Sequence, residues 1–211
     1  MLISELSRRS GVPIATIKYY LREGLLPPGE ATAATRAEYD DLHLGRLRLI
    51  RALVEVGNLP LAAIRRILGA VDNEDLDVHG LLGTAQYALG PKVDPPEDEE
   101  WQETSDQVDA FLADLGWRVT SFAPARKMLT QALVTLRRLG MPAGADQLRP
   151  YAGAAETLAR EEIGRIDTSA PRSALVEGVV VGTVLYEPVL IALCRLAQEH
   201  QSALRFAPPR S

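Results

Sequence analysis

Few side chains in this sequence could do covalent or metal chemistry. The chain has one cysteine, Cys194, so neither an internal disulfide nor a multi-cysteine zinc or iron–sulfur site can form within it. Its three histidines, His43, His79 and His200, lie far apart and show no metal-ligand spacing. Glu161 and Glu162 are adjacent, so on a helix they point to different faces and cannot make a facing acid–base pair. No Gly-rich phosphate loop or nucleophile elbow occurs. Catalysis, a resident cofactor and a metal are therefore not expected. Charge, by contrast, is concentrated. Residues 1–70 hold ten Lys/Arg and seven Asp/Glu, a net of +3, whereas residues 71–211 hold thirteen and twenty-one, a net of -8. A basic head on an acidic body fits a nucleic-acid-binding module joined to a non-binding remainder.

The elements that must position the head's residues follow from apolar spacing. Residues 3–9 predict a short helix with Ile3 and Leu6 on one side. Gly11 and Val12 make a turn, and residues 14–23 predict a second helix through Ile14, Ile17 and Leu21, with Gly24 as its stop. Two short helices about a Gly turn fit a helix-turn-helix and equally a plain helical hairpin. Pro27, Pro28 and Gly29 force a loop, and residues 30–36 could form a small two-stranded wing. Asp40 and Asp41 open a longer helix over 38–56, buried through Leu47, Ile50 and Val54. Pro60 opens a fourth helix over 60–70, buried through Leu61, Ile64 and Leu68.

The body reads as helical, with candidates over 75–89, 105–121, 124–139, 150–165 and 174–204. Ser105 is the expected N-cap of the second, whose stripe is Val108, Leu112, Leu115 and Val119. Pro124 and Gly140 bracket the third. Between the first two, residues 90–100 are rich in proline and acid and read as a solvated linker. The N-terminus has no apolar stretch long enough for a signal peptide. The most apolar run, 174–193, carries Glu177, Glu187 and Pro188, so no membrane span is expected and the chain is placed in the cytoplasm.

Four stretches, ISELSRRSGV, TIKYYLREGLLPP, RLRLIRAL and LPLAAIRRIL, occur in an order that resembles the MerR family of transcription regulators. The resemblance covers residues 1–70. It implies a winged helix-turn-helix followed by a second helix pair, binding double-stranded promoter DNA as a homodimer on an inverted repeat and distorting it for RNA polymerase. It puts Thr16 and Lys18 at base edges or phosphates, Tyr19 at a phosphate and Arg22 at the backbone. Tyr20 is either a further contact or a packing residue, and Arg36 is the wing's basic residue. Arg8, Arg9, Arg65 and Arg66 are as readily explained as solvated or paired.

Several positions depart from the family pattern. Lys18 stands where Arg is usual, Leu21 where Glu is usual and Pro13 where a capping residue is usual. The wing reads AATRAEY, with Arg36 and Tyr39 one residue out of the family's spacing. The family dimerises through one long helix straight after the head. Here helix 75–89 is short, carries Gly80 and Gly83, and ends at Gly90 and Pro91. A homodimer built partly by the C-terminal body is expected instead. Residues 174–197 are apolar on nearly every face, which suits a core helix or a subunit interface; the core is the expectation. Cys194 is expected to be a buried, inert thiol.

The expected architecture is mainly α: a winged helix-turn-helix over 1–70, a short helix and acidic linker over 71–104, and an all-α effector and dimerisation domain over 105–211. With metal and redox sensing excluded by the cysteine count, an organic small-molecule effector, a protein partner or no effector remains. Trp101, Trp117, Tyr151 and Tyr186, with Phe111 and Phe122, are the aromatic candidates for an effector pocket, although such residues are more often plain core. The different-class alternative is an architectural DNA-binding or protein-interaction module without effector switching.

Overall fold

Gly11 ends the first helix of the head because only a left-handed backbone can turn the chain there. In the computed structural model, which describes residues 1–33, 36–90, 92–96 and 98–206, α1 (Ile3–Ser10) stops at Gly11 with φ 71°, and the Gly11 N–H donates to the Ser7 carbonyl at 2.9 Å. A methyl at Gly11 would be strained at that φ and would also lie 2.9 Å from the Arg51 guanidinium. The second helix, α2 (Ile14–Arg22), buries Ile17 and Tyr20 and is followed by the anchors Leu25 and Leu26, both buried.

A small antiparallel wing follows. Strand β1 (Glu30–Ala33) pairs with β2 (Arg36–Glu38) in the register Glu30 to Glu38, Ala31 to Ala37 and Ala33 to Arg36, with an irregularity between Ala31 and Ala33. Gly29 lets the chain enter it: a methyl there would sit 2.6 Å from the Glu38 carbonyl oxygen and 3.0 Å from the Tyr39 ring. The far side of the wing is tied to the start of the chain, since Tyr39 N–H donates to the Met1 carbonyl at 2.8 Å.

Helix α3 (Asp41–Arg51) is capped by Asp40, whose carboxylate accepts the His43 backbone N–H at 3.0 Å; the His43 ring Nδ1 lies 2.6 Å from the same oxygen. These bonds, the backbone one foremost, hold the Asp40 carboxyl below its usual range. A depressed carboxyl stabilises the fold above the ordinary carboxylate range, and that contribution is lost as pH falls through the folded value. Asp40→Ala is expected to cost about 1 kcal/mol. Melting curves should show a deficit of a few degrees at neutral pH that narrows below pH ~4; a deficit unchanged at acid pH would contradict the cap's role.

A π-helical turn, Ala52–Val56, ends α3, with the Gly57 N–H on the Ala52 carbonyl at 2.8 Å. Helix α4 (Leu61–Asp72) buries Ala63, Ile64, Ile67 and Leu68, and α5 (Val78–Leu89) buries Leu81 and Ala85. Val54, placed on the buried stripe by sequence, is exposed, because the π turn rotates the chain past Leu53.

The described residues form two compact units: residues 1–89 with 168–211, and residues 90–167. This division differs from a body running over 105–211. The long C-terminal helix α9 (Arg172–Phe206) packs on α5, α3 and the π turn, so it belongs with the head. Val176 and Val180 are 0% exposed in the head's core. The Arg172 guanidinium donates to four carbonyls at the end of α4, those of Ala70, Val71, Asn73 and Leu76, at 2.8–3.0 Å. Beyond Val180, α9 is not the central core helix expected from its composition. Leu185, Leu190, Leu193 and Leu196 are exposed, and so is Cys194, expected as a buried thiol.

The second unit holds α6 (Glu99–Asp114), α7 (Pro124–Arg138) and α8 (Ala145–Gly164). Helix α6 starts within the stretch read as linker, because Asp98 rather than Ser105 is its cap, accepting the Trp101 N–H at 2.8 Å. Leu115 follows its last turn and Val119 is exposed, so the stripe ends at Leu112. Val108 and Leu112 pack on Leu133 of α7. Helix α8 starts five residues before Pro150, with the Gln147 side chain accepting the Gly144 N–H at 3.1 Å, so the proline lies inside the helix instead of opening it.

Candidate nucleic-acid interface

Helix α2 is divided lengthwise. Ile17 is fully buried and Tyr20 is 9% exposed, both within the cluster that includes Leu6, Leu25 and Leu47. The residues at i, i+3, i+4 and i+7 on the other side, Ala15, Lys18, Tyr19 and Arg22, are exposed, and Thr16 is half-buried beside them. Lys18 makes no ion pair among the described residues. Arg22 lies over the Tyr19 ring, 5.9 Å from its centroid, and Tyr19 packs at a tilt on Tyr20 with centroids 5.8 Å apart.

The sequence put Tyr19 at a phosphate and left Tyr20 open between a further contact and a packing role. The structure assigns them opposite work: Tyr19 faces solvent, while Tyr20 is a core residue whose phenol is pushed up, first by burial and then by the Glu55 charge. Tyr20 therefore has little surface to offer a ligand, and it supports α2 from behind.

Three arginines of the head are structural. Arg46 donates through Nε to the Leu25 carbonyl at 2.6 Å and holds Asp72 through both terminal nitrogens, joining the end of α2 to the end of α4. Arg51 donates to the Ser10 carbonyl at 3.0 Å and pairs with Glu55, tying α3 to α1. Arg65 of α4 pairs with Glu23 at 2.6 Å, offsetting the carboxylate that follows the exposed strip of α2. Sequence reading allowed for a paired Arg65 but not for its partner, since 42 residues separate the two. Arg8 pairs with Glu5 and Arg9 with Asp41, both at the surface. Arg48 and Arg66 are exposed, with no ion pair among the described residues.

At the wing, the backbone of Arg36 lies in β2, and its side chain is outside the described residues. Glu30 and Glu38 face each other across the strands and are both exposed. Like charges opposed across a ladder cost stability and make the base of the wing acidic.

The second unit contains a cavity of about 330 Å³ lined by apolar Val108, Phe111, Leu133 and Leu148, with Gln107 and Asp114 as polar members. Gln107 and Asp114 are held by Arg137 and Arg149. Of the six aromatic candidates, Phe111 lines this cavity and the other five do not. Trp101 is buried on α6, Trp117 packs on the Val108 cluster, and Tyr151 is 75% exposed on α8. Tyr186 lies on α9 in the other unit. No group of His, Cys, Asp and Glu side chains able to hold a metal occurs among the described residues.

Residues 1–71 match the family described as MerR HTH family regulatory protein. The HTH-type transcriptional regulator MerD of Shigella flexneri is 34% identical over 87 residues, covering 41% of this chain and 68% of that one. The mercuric resistance operon regulatory protein of Bacillus cereus is 37% identical over 73 residues, covering 35% of this chain and 54% of that one. The chain thus spans between about half and two thirds of the length of these curated relatives. A solved structure, that of the proposed transcriptional regulator SCO5550 from Streptomyces coelicolor A3(2), is similar throughout: 42% identity, a TM-score of 0.76, and coverage of 100% of both chains.

Proposed function

The chain belongs to the MerR family of helix-turn-helix regulators, and from that premise we propose that it acts as a homodimer on an inverted repeat within a promoter. One observation carries the reading: α2 keeps Ile17 and Tyr20 in the core while Lys18, Tyr19 and Arg22 stand exposed along one strip. Such a strip suits a helix that lies against a groove with its charges on flanking phosphates. Two heads related by a two-fold axis would read two half-sites, which is what makes the operator an inverted repeat. Distorting the spacer between promoter elements, so that RNA polymerase engages both, costs on the order of 1–6 kcal/mol. Phosphate and groove contacts from both heads would offset it.

The apolar cavity between α6, α7 and the start of α8 suits a small, mainly hydrophobic effector. Binding there would act on a unit whose two ends join α5 and α9 of the head unit, both packed into its core. Promoter DNA as partner places the protein in the cytoplasm.

The wing offers a direct test of docking. Glu38 is an exposed carboxylate two residues along β2 from Arg36, so it opposes phosphate approach. Glu38→Gln is expected to tighten operator binding about threefold to tenfold at low salt, with the gain shrinking as salt rises. Unchanged affinity at low salt would place the wing away from the DNA.

The reading is tested by selecting genomic fragments on the purified protein and footprinting those recovered, beginning with the DNA upstream of its own gene. One protected inverted repeat between promoter elements is the expected result. Protection that spreads cooperatively along any DNA would favour the architectural alternative.

A further inference from the structure

The cavity of the second unit is a groove with a hydrocarbon floor and a rim of small residues. Val108, Phe111 and Leu133, which form its floor, are buried. Ala110 of α6 lies at its rim, as do Gly144 and Ala145 at the start of α8, and all three are exposed. No side chain at these places extends beyond a methyl, so the floor stays open to a flat group. The volume, about 330 Å³, lies at the small end of the range for organic ligands.

Two polar residues line the groove, and each is committed on one side. The Asp114 carboxylate is paired with the Arg149 guanidinium at 2.5 Å. Gln107 is held by Arg137, which also donates to the Thr104 hydroxyl at 2.9 Å. A guanidinium only donates, so it is the amide oxygen of Gln107 that meets Arg137. The Gln107 amide nitrogen keeps its N–H groups, and no acceptor among the described residues takes them.

We infer that this groove binds a neutral, flat, mainly hydrocarbon molecule bearing one hydrogen-bond acceptor, such as an aryl ketone or lactone, with Gln107 as the donor to that acceptor. The inference rests on the reading of the second unit as the effector's site and names the effector's class. Charge decides against an ion. A carboxylate ligand would lie beside Asp114, whose guanidinium is already paired. An ammonium ligand would have to take Asp114 from Arg149 and leave that cation alone. Either ion would also exchange water for a hydrocarbon floor. A neutral acceptor gives up less water and uses the donor that is free.

Isothermal titration calorimetry on the full chain tests the class with four molecules that share one ring system: 2-acetylnaphthalene, naphthalene, 2-naphthoate and 2-naphthylmethylammonium. The ketone is expected to bind with a Kd on the order of 10–100 µM. Naphthalene should bind about threefold to tenfold more weakly for want of the acceptor. Both ions should bind at least about tenfold more weakly than the ketone. Ala110→Trp fills the mouth and should abolish binding of the ketone. Gln107→Glu keeps an oxygen for Arg137 and removes the donor. It should weaken the ketone about threefold to tenfold and leave naphthalene unchanged. Circular dichroism should show unchanged helicity in both variants, since both positions are exposed. No measurable binding of the ketone to the wild type, tighter binding of either ion, or ketone binding that neither substitution weakens would each overturn the class. Operator affinity measured with and without saturating ligand separates the two readings. If the ketone binds as expected and operator affinity does not change, the effector reading fails and the ligand class stands. If an ion binds more tightly than the ketone and changes operator affinity, the class fails and the effector reading stands.

Discussion

Replacing Arg172 with alanine is expected to lower the melting temperature of the head unit by about 6–12 °C, the equivalent of about 3 kcal/mol. Its guanidinium serves four backbone carbonyls of the α4–α5 junction, Ala70, Val71, Asn73 and Leu76. Three of the four bonds are partly buried, so water replaces them incompletely once the side chain is gone. Bonds from a charged donor are each worth about 1.5–3 kcal/mol, but they share one side chain and do not add in full. The loss also frees the start of α9, whose Val176 and Val180 depend on that attachment to stay in the core. Arg172→Lys should recover only part of the loss, because an ammonium cannot reproduce the planar fork. Differential scanning calorimetry reads the effect. A fall of less than about 2 °C for the alanine variant would mean that the carbonyls are satisfied without the guanidinium.

The second large effect is expected on DNA. Lys18 is exposed on the outward strip of α2 with no carboxylate to satisfy it among the described residues, so its charge is available to a phosphate or a base edge. Lys18→Ala should weaken operator binding by about tenfold to a hundredfold and reduce the slope of log affinity against log salt by roughly one for each head. If Lys18 meets a phosphate, the loss should be the same on operator and on unrelated DNA; if it meets a base, the operator should suffer more. Lys18→Arg keeps the charge and adds a fork, so it should preserve the salt slope. An alanine variant with unchanged affinity and slope would take Lys18 out of the interface.

Much of the head was legible in the sequence because its signals are local. Ile17 and Leu6 sit at helical spacing, Gly11 and Gly24 mark left-handed stops at φ 71° and 69°, and Pro60 opens α4. Tyr19 and Tyr20 were harder. They are adjacent and alike in chemistry, so Tyr20 stayed open between contact and packing, and the cluster that includes Leu6 and Leu25 decides that it turns inward. The wing's existence was legible from the turn residues, but not its acidic base, which arises from the pairing of Glu30 with Glu38 across the strands.

The body was less legible, for three physical reasons. Acids can solvate a linker or stabilise a helix start. Glu99 and Glu100 do the latter in the first turn of α6, behind the Asp98 cap. A proline can open a helix or lie within its first turns, as Pro150 does. A helix apolar on every face has one composition whether its partner is its own core or another chain, so the exposure of Leu193 and Cys194 could not be read from residue types. The return of α9 to the head rests on Arg172 meeting carbonyls about a hundred residues earlier, and no local pattern announces such a bond.

The central claim, that the exposed strip of α2 binds promoter DNA as one half of a two-fold reader, is tested most directly by hydroxyl-radical footprinting of the wild-type protein. The DNA would be a recovered operator and a copy with one half-site scrambled, titrated between about 50 and 200 mM salt. The expected result is protection in two symmetric blocks one helical turn or a multiple of it apart. Binding should fall steeply with salt, and affinity should drop sharply when either half-site is lost. Equal protection of the intact and the scrambled DNA, or protection confined to one side of the repeat, would contradict it.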